Sequence, residues 1–234
     1  MAYLLAIETS TEVCSVAISD HHQIIFERIH KQGVSHASLL GVFVAEAMEE
    51  MRRKSLKINA VAVSLGPGSY TGLRIGVSEA KGLCYGLDIP LIAVPTLQII
   101  AAQAIKNTSN THSPILLCPM IDARRMEVYT ALYDTHLEEI SPAEALIVNE
   151  NAFQKELENS EIVFCGNGSD KCRSVIQSPH ARFLENIYPT ATAMIPLAEQ
   201  AFERRQFVDT AYFEPFYLKE FLATTAKNTL NNLL

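Results

Sequence analysis

Two stretches of this chain hold residues whose types and spacing could do chemistry. Glu8-Thr9-Ser10-Thr11 places a carboxylate and three hydroxyls directly after a short apolar run. Gly66-Pro67-Gly68-Ser69-Tyr70-Thr71-Gly72 lies between an apolar run and a helical one, where backbone N–H groups at a helix start can bind an anion. The glycine stretch has no Gly-Lys-Ser/Thr, so it is not a P-loop. Pro67 and the misplaced third glycine break the dinucleotide fingerprint. Two readings stand for the glycine stretch: phosphate binding, or a tight turn that needs glycine dihedrals.

No other pattern carries catalysis. HExxH and GxSxG are absent. No two histidines lie three or four apart on a helix, so no metal site is expected. His21-His22 reads as a solvated turn and His36 as a capping or packing residue in the first turn of a helix. Five cysteines, Cys14, Cys84, Cys118, Cys165 and Cys172, form no CxxC pair. Their odd number and apolar settings predict reduced, buried thiols in a cytoplasmic protein.

The elements that must position these residues follow from periodicity. Tyr3–Ile7, Val13–Ile18 and Ile24–Ile29 read as strands. A helix follows Ser35, with Leu39, Leu40, Phe43, Val44, Met48 and Met51 at helical spacing. Ala60–Leu65 is a strand, Leu73–Tyr85 a helix, Leu91–Val94 a strand and Leu97–Ile105 a helix. An antiparallel start followed by strand–helix alternation predicts a mixed sheet with helices packed on it. The polar run 106–113 marks a boundary between domains 1–106 and 107–234. Beyond it, Ile115–Ile121, Glu127–Tyr133 and Glu161–Cys165 read as strands, and Asp170–Ile176 and Thr192–Arg205 as helices. Pro215–Leu234 reads as irregular, then helical. The second half partly echoes the first, down to a glycine turn at Gly166-Asn167-Gly168-Ser169.

Small residues recur at helical spacing: Gly72, Gly76 and Ala80 in one row, Ser78, Gly82 and Gly86 in another, and Ala37, Gly41 and Ala45 on the preceding helix. A mid-helix glycine costs about 1 kcal/mol relative to alanine. Several of them predict close packing, either within the chain or against a partner.

Composition bounds the partners. Hydrophobic residues are 48%, charged residues 19% and the formal net charge −7. That is globular composition without the basic face on which phosphate contacts depend. The densest cations, Arg52, Arg53, Lys54 and Lys57, fall at a helix end, where they complement the dipole. Any RNA role is therefore expected to be indirect. Met1 to Ile7 has no cationic region and too short an apolar run for a signal peptide, and no apolar run reaches the ~20 residues that span a membrane.

The chain resembles the TsaB family, the non-catalytic paralogues of TsaD. The resemblance is carried by Leu5-Ala6-Ile7-Glu8-Thr9-Ser10-Thr11, Ser35-His36-Ala37-Ser38-Leu39-Leu40, the stretch Gly66 to Gly76, Asp122-Ala123-Arg124-Arg125-Met126-Glu127-Val128-Tyr129 and Pro215-Phe216-Tyr217-Leu218-Lys219. It implies an α/β fold of two actin-like (ASKHA, ribonuclease H-like) domains with mixed sheets flanked by helices.

In that fold the acidic turn after the first strand faces nucleotide phosphates, so the resemblance implies a vestigial nucleotide site at Glu8, Thr9, Ser10, Gly66, Gly68 and Ser69. Many relatives have Asp-Thr-Ser where Glu8-Thr9-Ser10 stands, and the longer side chain weakens a nucleotide claim. TsaD carries two metal-binding histidines as HxxxH, and the matching positions here are Thr96 and Ile100. Neither supplies an imidazole.

The resemblance therefore implies no catalytic residue and no metal. It implies no required cofactor, with weak ATP or ADP binding allowed at the interface of a complex. The implied partners are a TsaD-like catalytic paralogue and a TsaE-like ATPase, with tRNA reached only through them and a homodimer when the chain is alone. The interface it implies is His36, Ala37, Leu40, Gly41, Val44 and Ala45, with Gly72, Leu73, Gly76 and Ala80. The competing reading is an actin-fold ATP-binding kinase or ATPase acting through Glu8 and the glycine loop. A peptidase has no visible nucleophile–base arrangement.

Overall fold

The computed structural model describes residues 2–31, 33, 35–108 and 115–219. The first half runs β1 (Tyr3–Glu8), β2 (Cys14–Asp20), β3 (Gln23–His30), α1 (His36–Arg53), β4 (Ala60–Gly66), α2 (Tyr70–Leu87), β5 (Leu91–Pro95) and α3 (Thr96–Ile105). The second runs β6 (Ile115–Asp122), β7 (Glu127–Tyr133), β8 (Glu139–Ile147), α4 (Gln154–Leu157), β9 (Glu161–Cys165), β10 (Ala181–Phe183) and α5 (Ala191–Glu203).

Each half builds one five-stranded sheet. The orders are β3-β2-β1-β4-β5 and β8-β7-β6-β9-β10. In both, the first three strands pair antiparallel, while the fourth and fifth join parallel. This is one topology used twice, and it gives the sequence echo a structural meaning. Strands β1 and β4 are covered on both faces and so read as continuous apolar runs.

Helices α1 and α2 cover one face of the first sheet. Leu40, Val44, Ala47 and Met51 of α1 pack with Val77, Ala80 and Cys84 of α2 over Leu5, Ile7, Val16, Val61 and Val63. Both stripes keep the three-to-four spacing of a helix with one buried side. The other two long helices cross over. Leu97, Ile100 and Ala104 of α3 pack on Leu117, Ile121 and Val163 of the second sheet. Ala191, Met194, Ile195 and Ala198 of α5 pack on Leu4, Ala6, Ala17 and Ile92 of the first. A cut at residue 106 parts the two sheets, while α5 covers the first sheet from beyond the cut and α3 lies between the sheets, with Ile99 packed on the first. The chain is an α/β protein of two mixed, helix-flanked sheets, the arrangement of paired actin-like domains.

Some elements differ from expectation. β8, α4 and β10 were not anticipated. The helix expected over Asp170–Ile176 is a single 3-10 turn at Asp170–Cys172. The helix expected beyond Pro215 falls largely outside the described residues. All five cysteines are free and buried, and burial raises the Cys14 and Cys84 thiols to about 11. Among the described residues, no helix is long and apolar enough to cross a membrane.

Candidate functional site: a sealed turn and an outward helix face

The turn after β1 is sealed. Glu8, Thr9 and Ser10 have no exposed surface. The Ser10 N–H donates to Glu8 Oε1 at 2.6 Å, and the Ser69 N–H donates to the Ser10 carbonyl at 2.6 Å. The Thr9 hydroxyl donates to the Gly72 carbonyl at 2.7 Å. The glycine loop and the first turn of α2 lie directly on this turn. A Cβ at Gly68 would overlap the Ser10 carbonyl, and one at Gly72 the Thr9 carbonyl. Close backbone approach, rather than glycine dihedrals, requires Gly68 and Gly72, while Gly66 alone of the loop glycines has a positive φ, 115°. Ser69 is the N-cap of α2 and accepts from Gly72 N–H at 3.2 Å, satisfying a donor that an anion would otherwise take.

Glu8 is a buried carboxyl whose Oε2 has no hydrogen-bond partner. Burial raises it to about 7, against the opposing pull of Ser10 and Ser64. Removal from water disfavours the charged form, so the interior favours the neutral carboxyl more than water does. His36 closes the same corner. Its Nε2–H donates to the Thr11 carbonyl at 2.7 Å, and its ring is buried. That is the packing role expected of it.

The expected interface residues divide sharply by face. Ala37, Gly41 and Ala45 of α1 are exposed. His36, Leu40 and Val44 are buried in the core, so they leave the interface. The same correction applies to the whole row on α2. Gly72, Leu73, Gly76 and Ala80 are buried, and a Cβ at Gly76 would overlap the Thr9 hydroxyl. This row packs within the chain. The outward row is the other one: Ser78, Gly82 and Gly86 are exposed, with nothing within 4 Å of a Cβ placed at Gly82 or Gly86. Beside them Tyr85 is 88% exposed, and Val42 on α1 is 50% exposed. The stripe Leu73, Val77, Ala80, Cys84 identifies the inward side of α2 and could have been read from the sequence.

A second feature was missed. Residues 209–219 run along α2 and over the glycine loop. The Phe216 N–H donates to the Leu65 carbonyl at 2.8 Å. Lys81 Nζ donates to the carbonyls of Ala211 at 2.9 Å and Phe213 at 3.1 Å. Tyr217 packs on Tyr70 with ring centroids 4.7 Å apart and accepts from Arg74 Nε at 3.2 Å. Lys219 then reaches Glu127 of the second sheet at 2.5 Å. The Pro215–Lys219 signature is thus a strap joining the two halves over α2.

In the second half, Gly166-Asn167-Gly168-Ser169 takes the place of the first glycine loop. The Asn167 amide donates to Glu12 Oε2 at 2.8 Å, and its Oδ1 accepts from Asp122 N–H at 3.1 Å. This tie joins the two halves. Arg124 and Arg125 sit exposed at the tip of the β6–β7 hairpin, both with positive φ. Thr96 and Ile100 are fully buried at the start of α3. Among the described residues, no group of three His, Cys, Asp or Glu side chains could hold a metal ion.

Comparison with known proteins agrees with this architecture. Residues 23–227 match the family model described as TsaD, tRNA N6-adenosine threonylcarbamoyltransferase. The chain is 32% identical to the tRNA threonylcarbamoyladenosine biosynthesis protein TsaB of Escherichia coli, over 94% of this chain and 96% of that one. It is 30% identical to the protein of the same name from Bacillus subtilis, over 74% of this chain and 75% of that one. A crystal structure from Pseudomonas aeruginosa, described as similar to the peptidase YEAZ, superposes with a TM-score of 0.79. That pair is 27% identical, and the match covers 94% of this chain and 100% of the other. The fold, the duplicated topology and these matches together make the chain a member of the TsaB/YeaZ family.

Proposed function

We propose that this chain takes part in making threonylcarbamoyladenosine in tRNA, as a non-catalytic subunit that binds and stabilises a TsaD-like catalytic paralogue. The observation that carries this reading is near-full-length similarity to a relative named for that biosynthesis. Two features of the chain support the non-catalytic role. Its Glu8-Thr9-Ser10 turn is sealed by the glycine loop, and Thr96 and Ile100 offer no imidazole.

The surface offered to the partner is the outward face of α1 and α2. Both helices lie on one side of the first sheet, so their exposed small rows share that side. Ala37, Gly41 and Ala45 with Ser78, Gly82 and Gly86 let a partner backbone approach closely. Val42 and Tyr85 supply apolar area that water would otherwise cover. A TsaE-like ATPase would join this assembly, and tRNA would be held by the other subunits, in keeping with the net charge of −7.

Reconstitution tests the reading. The catalytic paralogue and its ATPase partner are supplied with tRNA, ATP and the threonylcarbamoyl donor system, with and without this chain. Threonylcarbamoyladenosine is then measured by nucleoside mass spectrometry. The reading predicts product only when this chain is present. Equal product in its absence overturns it.

A further inference from the structure

A cavity of about 560 Å³ lies at the opposite end of the first sheet from the sealed turn, beneath the β2–β3 hairpin and beside the C-terminal end of α5. Its size is in the range of small-molecule sites. Apolar walls include Phe202 and Phe207, whose rings meet edge-on with centroids 5.8 Å apart. The polar lining is Glu199, Glu203, His21, His22, Asn59 and Arg205.

The charged groups divide by depth. Glu199 is 7% exposed. His21, His22, Glu203 and Arg205 stand at the exposed rim. The one deeply buried charge in the wall is therefore a carboxylate. Its Oε1 accepts from the Ser19 hydroxyl at 2.8 Å and from the His22 N–H at 2.9 Å. Its Oε2 meets His22 Nδ1. That imidazole is 71% exposed, so the cavity-side partner of Glu199 is a group that can swing away into water.

The hairpin holds His22 there at a conformational cost. His21 and His22 have φ of 45° and 64°, a pair of positive values that two-residue hairpins ordinarily fill with Asn-Gly.

From these observations we infer that the cavity is a binding site for a small organic amine with an apolar body, whose ammonium replaces the His22 imidazole at Glu199 while its body lies on Phe202 and Phe207. An ammonium brings three donors to a buried carboxylate, and a neutral isostere of the same shape leaves that carboxylate without its cation.

Phenethylamine is the probe, titrated into the labelled full chain with amide chemical shifts as the readout. 2-Phenylethanol and 3-phenylpropionate serve as neutral and anionic controls. The amine is expected to shift the amides of His22, Asn59 and Phe207 saturably, at least tenfold more tightly than either control. Glu199→Gln should remove that preference. Because Glu199 also anchors the hairpin, a second variant keeps the test independent of folding. His22→Gly suits the positive φ and removes the competing imidazole, so it should tighten amine binding severalfold. Binding of the alcohol as tight as the amine overturns the inference. So do shifts confined to other residues, or weaker amine binding by His22→Gly.

Discussion

The Thr9 hydroxyl donates to the Gly72 carbonyl across 2.7 Å, at a contact where neither Gly72 nor Gly76 has room for a Cβ. This one contact fixes α2 against the end of β1 and decides which side of α2 faces out.

Glycines on the two sides of α2 should therefore respond oppositely to the same change. Gly76→Ala places a methyl into Thr9 and should destabilise the chain by about 2–3 kcal/mol. Gly82→Ala meets open space, removes a mid-helix glycine and should stabilise by about 0.5–1 kcal/mol. Urea denaturation of both variants checks the contrast. Equal effects would mean that the inward and outward sides are misassigned.

Glu8 should make stability depend on pH in an unusual direction. Its folded pKa, about 7, lies above the ordinary 4.5. The folded state then holds the proton more tightly than the unfolded chain. The associated stability is fully present below about pH 4.5 and is lost as pH rises through 7. For a shift of this size the loss is on the order of 3 kcal/mol. Urea midpoints at pH 5 and pH 8 should separate clearly for the wild type. Glu8→Gln should narrow the gap by most of that amount, and an unchanged gap would assign the pH dependence to other groups.

The strap along α2 should loosen as a unit. Lys81→Met removes donors to the carbonyls of Ala211 and Phe213 while keeping an apolar side chain of similar length. Amide exchange at Phe213 and Phe216 should quicken about tenfold, with global stability changed by about 1 kcal/mol at most. Unchanged exchange would mean that Tyr217 and Phe216 hold the strap without Lys81.

Much of the first half was legible because its signals are local. Period-two and period-3.6 patterns, with glycine punctuation between them, placed every element from β1 to α3 within a few residues. Strand β8 was missed because it is an edge strand with no buried face to impose a clean alternation, and Pro142 interrupts it. β10 is only three residues long. Nothing in the apolar stripe of α5 tells which sheet it will cover, since Met194 and Ile195 would suit either. The crossing of α3 and α5 is a consequence of topology alone.

The candidate site was half legible. The small-residue rows were visible, but choosing between them required noticing that Leu73, Val77 and Cys84 share the side of Gly76 and Ala80. The strap was visible only as a signature. Its seat on Leu65 and Tyr70 joins residues more than 140 positions apart, a pairing that no local pattern encodes.

The central claim is that the outward face of α1 and α2 receives a TsaD-like partner. Size-exclusion chromatography with light scattering, on this chain mixed with that protein from the same source, tests it most directly. The wild type should give one new peak holding both chains. Gly41→Leu and Gly82→Leu, which meet open space in the free chain, should stay folded and elute apart from the partner. Separate peaks for the wild type, or a mixed peak that survives both substitutions, would contradict the account.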